Sequence, residues 1–148
     1  MEFGKRSVSY LRTCHSDLQK IMKMAIDLSR VDFGITEGYR SPSRQKQLFD
    51  QGLTKIDGIN RLGKHNVKPS MAVDIYVYHP DLKTRRKIAY NPIHLSYIAG
   101  VIDASAQVLI EKSSINHRVR WGGNWDHDGV IKFDQSFIDM PHFELIKL

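Results

Sequence analysis

The sequence predicts an α+β domain in which helices pack on a small, mainly antiparallel sheet. Apolar residues recur at helical spacing over 16–28 and 91–112. Short runs of β-branched and aromatic residues lie between and after them, too few and too short for a doubly wound parallel sheet. With 148 residues, 41% of them hydrophobic and 26% charged, the chain has the make-up of one globular domain with its own core. No repeat, low-complexity tract or linker interrupts it, so a single domain over 1–148 is expected.

The elements follow in order. Leu18, Ile21, Met22, Ala25 and Ile26 fall at i, i+3, i+4, i+7 and i+8, one apolar face of a helix over 16–28. Ser16 is placed to cap it, with Gln19 completing a capping box. Residues 32–38 read as a strand ending at Gly38. Ser41-Pro42 then opens a second helix, Ser as cap and Pro at the first helical position, which stops near Gly52. From Leu53 to Ser70 the pattern is irregular, a long loop of the kind that usually carries function. Ala72 to Tyr78 is rich in β-branched and aromatic residues and reads as a strand. His79-Pro80-Asp81 is a turn. Asn91-Pro92 begins the longest helix, reaching about Lys112, with Ile98, Val101, Ile102, Val108 and Leu109 facing the core. Residues 119–121 form a strand, 122–129 a polar loop, and 142–146 a terminal strand with alternating faces.

The formal net charge is +6 and the pI about 9.5, which favours polyanionic partners. The basic residues are dispersed, with Arg85-Arg86-Lys87 the one compact cluster, and no aromatic interleaving accompanies them. Nucleic-acid binding is therefore not expected. No apolar run approaches the ~20 residues needed to cross a bilayer. The N-terminus has no apolar stretch behind its basic residues, so a cytoplasmic start without a secretory signal is expected. Cys14 stands alone, which excludes an internal disulfide and a thiolate metal cluster. A monomer is expected.

Asp74 lies inside an apolar strand, where a carboxylate is costly to bury unless something positive meets it. A metal ion is one such partner, and His65 in the preceding loop is a candidate second ligand. Of the seven histidines, His15, His79, His94 and His117 read as surface or turn residues. His142 differs, because it opens the last strand. If that strand neighbours the one carrying Asp74, His65, Asp74 and His142 converge on one ion. Three N/O ligands plus water is the composition of a catalytic zinc site. Asp139, three residues before His142, is placed to act as the carboxylate general base. The plainer alternative is Asp74 paired with an Arg or Lys, and a strand-end histidine with no special role.

The 124–129 loop, Asn124-Trp125-Asp126-His127-Asp128-Gly129, fits the first half of a calcium-loop pattern. Position twelve would be Gln135 instead of Glu, so a tight polar turn is the expectation. Trp121 and Trp125 are candidates either for lining a cleft or for the core.

Several segments in this order resemble the zinc D,D- and L,D-peptidases of the VanX/VanY type, and most of all the bacteriophage L-alanyl-D-glutamate endolysins. Residues 16–38 resemble the leading helix and strand of that family. Gly38-Tyr39-Arg40-Ser41 with Gln45 resembles its Gly-x-Arg-Ser…Gln signature. His65 through Ala72-Val73-Asp74 resembles its metal motif, and Asp139-x-x-His142-Phe143-Glu144 its second one. The sequence departs from the family at Gly63, where a serine is usual, and at Pro69-Ser70, in a wider spacing between His65 and Asp74. The resemblance implies a hedgehog-like D,D-peptidase fold with the zinc site at the sheet. It implies Zn2+ held by His65, Asp74 and His142, Asp139 as general base, and Arg40 binding a substrate carboxylate or the developing oxyanion, with Gln45 also at the substrate. It implies a metallopeptidase that cuts the peptide stem of bacterial peptidoglycan, at the L-Ala–D-Glu bond, as an endolysin without a separate wall-binding domain. Such an enzyme would accumulate in the host cytoplasm and reach the wall when the membrane is opened, its basic surface drawn to anionic envelope polymers. The alternatives are a D,D- or L,D-carboxypeptidase or dipeptidase acting on wall precursors, a basic nucleic-acid-binding module, and a non-catalytic zinc-binding relative.

Overall fold

A computed structural model describes residues 1–131 and 135–148. Among them, helices α1 (Lys5–Leu11), α2 (Ser16–Leu28), α3 (Pro42–Asp50), α4 (Leu82–Ile88) and α5 (Pro92–Glu111) accompany strands β1 (Phe33–Glu37), β2 (Ala72–Val77), β3 (His117–Trp121) and β4 (His142–Lys147). A 3-10 turn at Lys64–Asn66 interrupts the long loop. The strands form a four-stranded sheet in the order β1-β2-β4-β3, antiparallel at every pairing. The expected α+β architecture is the one observed.

The core lies between the sheet and helices α2 and α5, which also pack on each other. Leu18, Ile21, Met22 and Ala25 of α2 are completely buried, as are Ile98 and Ile102 of α5 and Val73, Ile75 and Val77 of β2. Removing each such large side chain from water contributes roughly 1.5–3 kcal/mol. Cys14 is buried in the same core, and burial pushes its thiol up to about 11, so it is no nucleophile.

Several sequence expectations need correction. Helix α2 is capped by His15, whose Nδ1 accepts the Asp17 N–H at 3.1 Å, and Gln19 donates to the Cys14 carbonyl instead of closing a capping box on Ser16. Val108 of α5 is 37% exposed; the buried stripe runs through Leu95, Ile98, Ala99, Ile102, Ser105, Ala106 and Leu109. Helix α5 also has the length and apolar make-up of a bilayer-crossing segment, contrary to the expectation that no run approaches it. That make-up is explained by its position, wedged against α2, β2 and β3. Helices α1 and α4 do not stand out in the sequence because each has only seven residues, below the length at which periodicity can be read. His117, expected as a surface or turn residue, begins a strand.

Strand β4 does not alternate. Its first four residues, His142 to Leu145, are all buried, because Phe143 and Leu145 face the core while His65, Trp125 and Arg120 cover His142 and Glu144 on the other face. Its inner position in the sheet brings the chemistry together. In the pairing of β2 with β4, Asp74 stands directly opposite His142.

Candidate functional site

The site is built at the end of β2 where β1 and β4 flank it. On one side Glu37 pairs with Asp74 across a β-bulge between Ile35 and Glu37. Two carboxylates directly opposite each other repel. Arg40 resolves this: its Nη2 donates to Glu37 Oε2 at 2.6 Å and to Asp74 Oδ2 at 3.1 Å. On the other side, His65 Nε2 lies 3.1 Å from Asp74 Oδ1, His142 Nδ1 lies 3.0 Å from that same oxygen, and the two ring nitrogens are 3.2 Å apart. The structure thus brings His65, Asp74 and His142 together in a tight triangle of ligand atoms.

Each imidazole is oriented from behind. Residues 64–66 turn so that the His65 carbonyl accepts the Arg40 N–H at 2.8 Å, and His65 Nδ1 donates to the Gly38 carbonyl at 2.6 Å. Gly38 permits this, since a Cβ there would collide with Thr13 and the Tyr10 carbonyl at the end of α1. His142 Nε2 donates to Glu144 Oε2 at 3.0 Å. Glu144 is itself held by Arg120, whose Nε donates to Oε1 at 3.1 Å and whose Nη2 donates to it as well. In the neutral form of each ring the proton therefore sits on the far nitrogen, and His65 Nε2 and His142 Nδ1 are the nitrogens that present a lone pair to the site.

The donor set fits a metal. Two imidazoles and one carboxylate suit zinc, and a tetrahedral ion with bonds of about 2.0–2.1 Å holds neighbouring ligand atoms roughly 3.3 Å apart. The observed separations of 3.0 to 3.2 Å are close to that. Hydrogen bonds from the far nitrogen to a carbonyl and a carboxylate are also what metal-ligating histidines require.

Charge reinforces the arrangement. Burial alone would raise the Asp74 carboxyl, but His65 and His142 outweigh it and hold Asp74 well below the usual carboxylate range. Burial works against protonating His142, yet the hydrogen bonds to Asp74 and Glu144 win and lift it to about 9. Glu144 is pulled down to about 2 against its burial, by its bonds to His142 and Arg120. Asp139 moves the other way. Burial and then the charge of Asp74 push it up, with His142, His65 and Arg40 only partly opposing. A buried carboxylate with raised proton affinity is suited to accept a proton and give it back.

Asp139 is held by its backbone. Its N–H donates to the Gly122 carbonyl at 2.9 Å, its own carbonyl accepts the His142 N–H at 3.0 Å, and Gly122 N–H donates to the His142 carbonyl at 2.9 Å. A Cβ at Gly122 would run into the Asp139 carbonyl, so only glycine lets the two segments approach this closely. Trp121 fastens the same turn, donating from Nε1 to the Met140 carbonyl at 2.7 Å while stacking on Phe143.

A cleft of about 950 Å³ opens over this group, lined by Asp74, Asp139, His65, His142 and Trp125. Trp125 lies against the His142 ring with centroids 5.4 Å apart, and the Arg120 guanidinium covers Trp125 at 5.4 Å. The wall formed by the 53–63 loop carries Lys55 and Arg61. Gln45 is 2% exposed. Its Nε2 donates to the Ile56 carbonyl at 2.8 Å and to Thr54, and its Oε1 accepts from Arg40 Nη1. Gln45 therefore ties that loop to Arg40, and its own amide is turned inward.

Glu37, Glu144, Arg120 and Gly122 are the residues that sequence reasoning missed. Glu144 had a readable signal: two residues after His142 on a strand, it shares that residue's face. The others depend on register and close approach. Of the 124–129 loop, His127 adopts φ 60° and Gly129 φ 89°, in keeping with a tight turn, and the Val130 N–H donates to Asp128 Oδ1 at 2.7 Å. The rest of the calcium pattern runs through residues 132–134, outside the described residues.

A profile of the phage L-alanyl-D-glutamate peptidase family matches residues 1–146. The chain belongs to this family. Among individual phage L-alanyl-D-glutamate peptidases, it is 25% identical to the enzyme of Escherichia phage T5 over 147 residues, 98% of each chain. Its fold superposes on the crystal structure of the Serratia marcescens L-Ala D-Glu endopeptidase ChiX with a TM-score of 0.72 at 24% identity, covering 98% of this chain and 90% of that one. As a member of this peptidase family the chain is a hydrolase, and its sheet and helices are those of the ChiX fold.

Proposed function

We propose that this peptidase hydrolyses the L-Ala–D-Glu bond in the peptide stem of bacterial peptidoglycan, as a zinc enzyme, and serves as a phage endolysin. The observation that carries the reading is the convergence of His65 Nε2, Asp74 Oδ1 and His142 Nδ1 within 3.0 to 3.2 Å of one another, on the floor of a cleft that also holds Asp139. The whole chain acts as one catalytic domain. Its basic surface supplies attraction to anionic envelope polymers, and it works on the wall from the cytoplasmic side once the membrane is opened.

In this reading His65, Asp74 and His142 hold Zn2+. A bound zinc ion would act as a Lewis acid that lowers the pKa of water to about 7 and polarises a carbonyl. Asp139 takes a proton from the attacking water as its oxygen bonds to the L-Ala carbonyl carbon. When the C–N bond breaks, Asp139 returns that proton to the departing D-Glu nitrogen. Arg40 keeps Asp74 anionic and oriented, and its positive charge under the cleft floor favours a developing oxyanion. Gln45 holds Arg40 and the cleft wall in register. Glu144 and Arg120 fix the His142 ring, and Trp125 excludes water beside it.

Mass spectrometry of digested peptidoglycan tests the bond. New N-terminal D-glutamate is expected; release of free D-alanine would instead mark a carboxypeptidase. Metal analysis of the purified protein, paired with turbidity loss of permeabilised cells with and without chelator, tests the cofactor. Activity that survives full removal of metal would overturn the zinc reading.

A further inference from the structure

A second cluster of the same composition lies away from the cleft. His15 immediately precedes α2, Asp17 is in its first turn, and His117 begins β3, a hundred residues further along the chain. Asp17 is 6% exposed. Its Oδ2 is 2.7 Å from His117 Nδ1 and accepts the Asn116 N–H at 2.9 Å, while Oδ1 is 3.9 Å from His15 Nδ1. The imidazoles meet edge to face with centroids 4.8 Å apart. One ligand atom from each of the three residues lies within 4.8 Å of the others. None of the three lines the cleft.

We propose that His15, Asp17 and His117 form a second, peripheral site for a divalent transition metal that clamps the start of α2 to the start of β3. Two imidazoles and a carboxylate select ions such as Zn2+, Ni2+ or Cu2+ over Mg2+ or Ca2+. The carboxylate is available as an anion: burial would raise it, but the His117 and Asn116 hydrogen bonds bring Asp17 below its usual range. The two histidine side chains keep 28% and 22% of their surface exposed, so an ion can enter from solvent and retain water on its open side. Three features make this site weaker than the one in the cleft. The α2 N-terminus carries a positive partial charge, the Lys20 ammonium is anchored nearby on the Ser114 carbonyl, and His15 Nδ1 must give up the Asp17 N–H that it caps. The second ion therefore binds after the first. Being remote from the cleft, it acts on stability and leaves the hydrolytic centre alone.

The test uses the full chain stripped with chelator and titrated with Zn2+ alone, read by calorimetry and by metal content after dialysis. The wild type is expected to hold two equivalents, the second more weakly. His117→Asn and His15→Asn should each hold one, with peptidase activity unchanged; asparagine at 15 keeps a good helix cap while removing the imidazole. His65→Ala, lacking a cleft ligand, should hold one equivalent that still raises the melting temperature. Adding His117→Asn to it should abolish both the binding and the shift. A His65→Ala variant that holds no zinc overturns the proposal, as does a His117→Asn variant that holds two. The His65→Ala comparison separates this outcome from any failure of the cleft site.

Discussion

Replacing Glu144 with glutamine keeps its shape and removes its symmetry. The carboxylate accepts from His142 on one oxygen and from two nitrogens of Arg120 on the other. A glutamine amide has only one oxygen, and the Arg120 fork with its two donors will claim it. The NH2 group then faces His142 Nε2, donor against donor. The imidazole escapes that clash by moving its proton to Nδ1, the nitrogen that faces Asp74 and His65. His142 can then bind a metal only after losing that proton. Outer-shell partners of this kind are worth 10- to 100-fold in metal affinity, or about 1.4–2.7 kcal/mol. A second effect opposes the first. Glu144 helps lift His142 to about 9, so in the wild type protons compete with the metal below that pH, and the substitution eases the competition. The deficit in zinc affinity should therefore be small near neutrality and widen toward its full size as pH rises through about 9. Competition with a chromophoric chelator across pH measures it, and nitrogen NMR of the metal-free protein reads the tautomer directly. Affinity within about twofold of wild type at high pH, or a His142 that keeps its proton on Nε2, would refute the reasoning.

Other outcomes follow from the same geometry. Asp139→Ala should retain zinc yet lose hydrolysis by roughly 10²- to 10⁴-fold; unchanged turnover would remove Asp139 from its role. The Asp139 carboxyl, titrated by carbon NMR in metal-free protein, should have its midpoint above the ordinary value of ~3.9, because burial and Asp74 favour its neutral form. Its basic form is lost as pH falls through that raised midpoint, so hydrolysis fades earlier on acidification than an ordinary aspartate would allow. Gly122→Ala drives a methyl group into the Asp139 carbonyl, which should destabilise the fold by about 1–3 kcal/mol in thermal melts and depress turnover further. If the basic surface draws the enzyme to the envelope, lysis of permeabilised cells should decline with added salt while cleavage of a small soluble muropeptide does not; equal salt dependence would count against that attraction.

How much was legible in the sequence varies with the kind of physics involved. Helices α2 and α5 announce themselves because burying one stripe imposes a period on many residues. Asp74 could be singled out because a carboxylate inside an apolar strand is costly without a partner, and His142 because it opens the last strand; His65 and Asp139 followed from their places beside these two and from the resemblance of their motifs to the family's. The supporting residues were hidden. Glu37 meets Asp74 only because a bulge sets that register, and the position of Arg40 beneath both is a consequence. Gly122 matters through a backbone approach of segments far apart in sequence. The plainer alternative for Asp74, an arginine partner, also holds in part: its Oδ2 goes to Arg40 and its Oδ1 to the histidines.

Strand β4 follows β3 along the chain yet sits between β2 and β3 in the sheet. Strand β2 is already paired with β1 on its other edge, and it is the pairing of β4 with β2 that sets His142 opposite Asp74. Long-range pairing of this sort is slow to form. Closing the sheet and assembling the candidate site are therefore one and the same contact, and a chain in which β4 has not docked on β2 cannot bring His142 to Asp74.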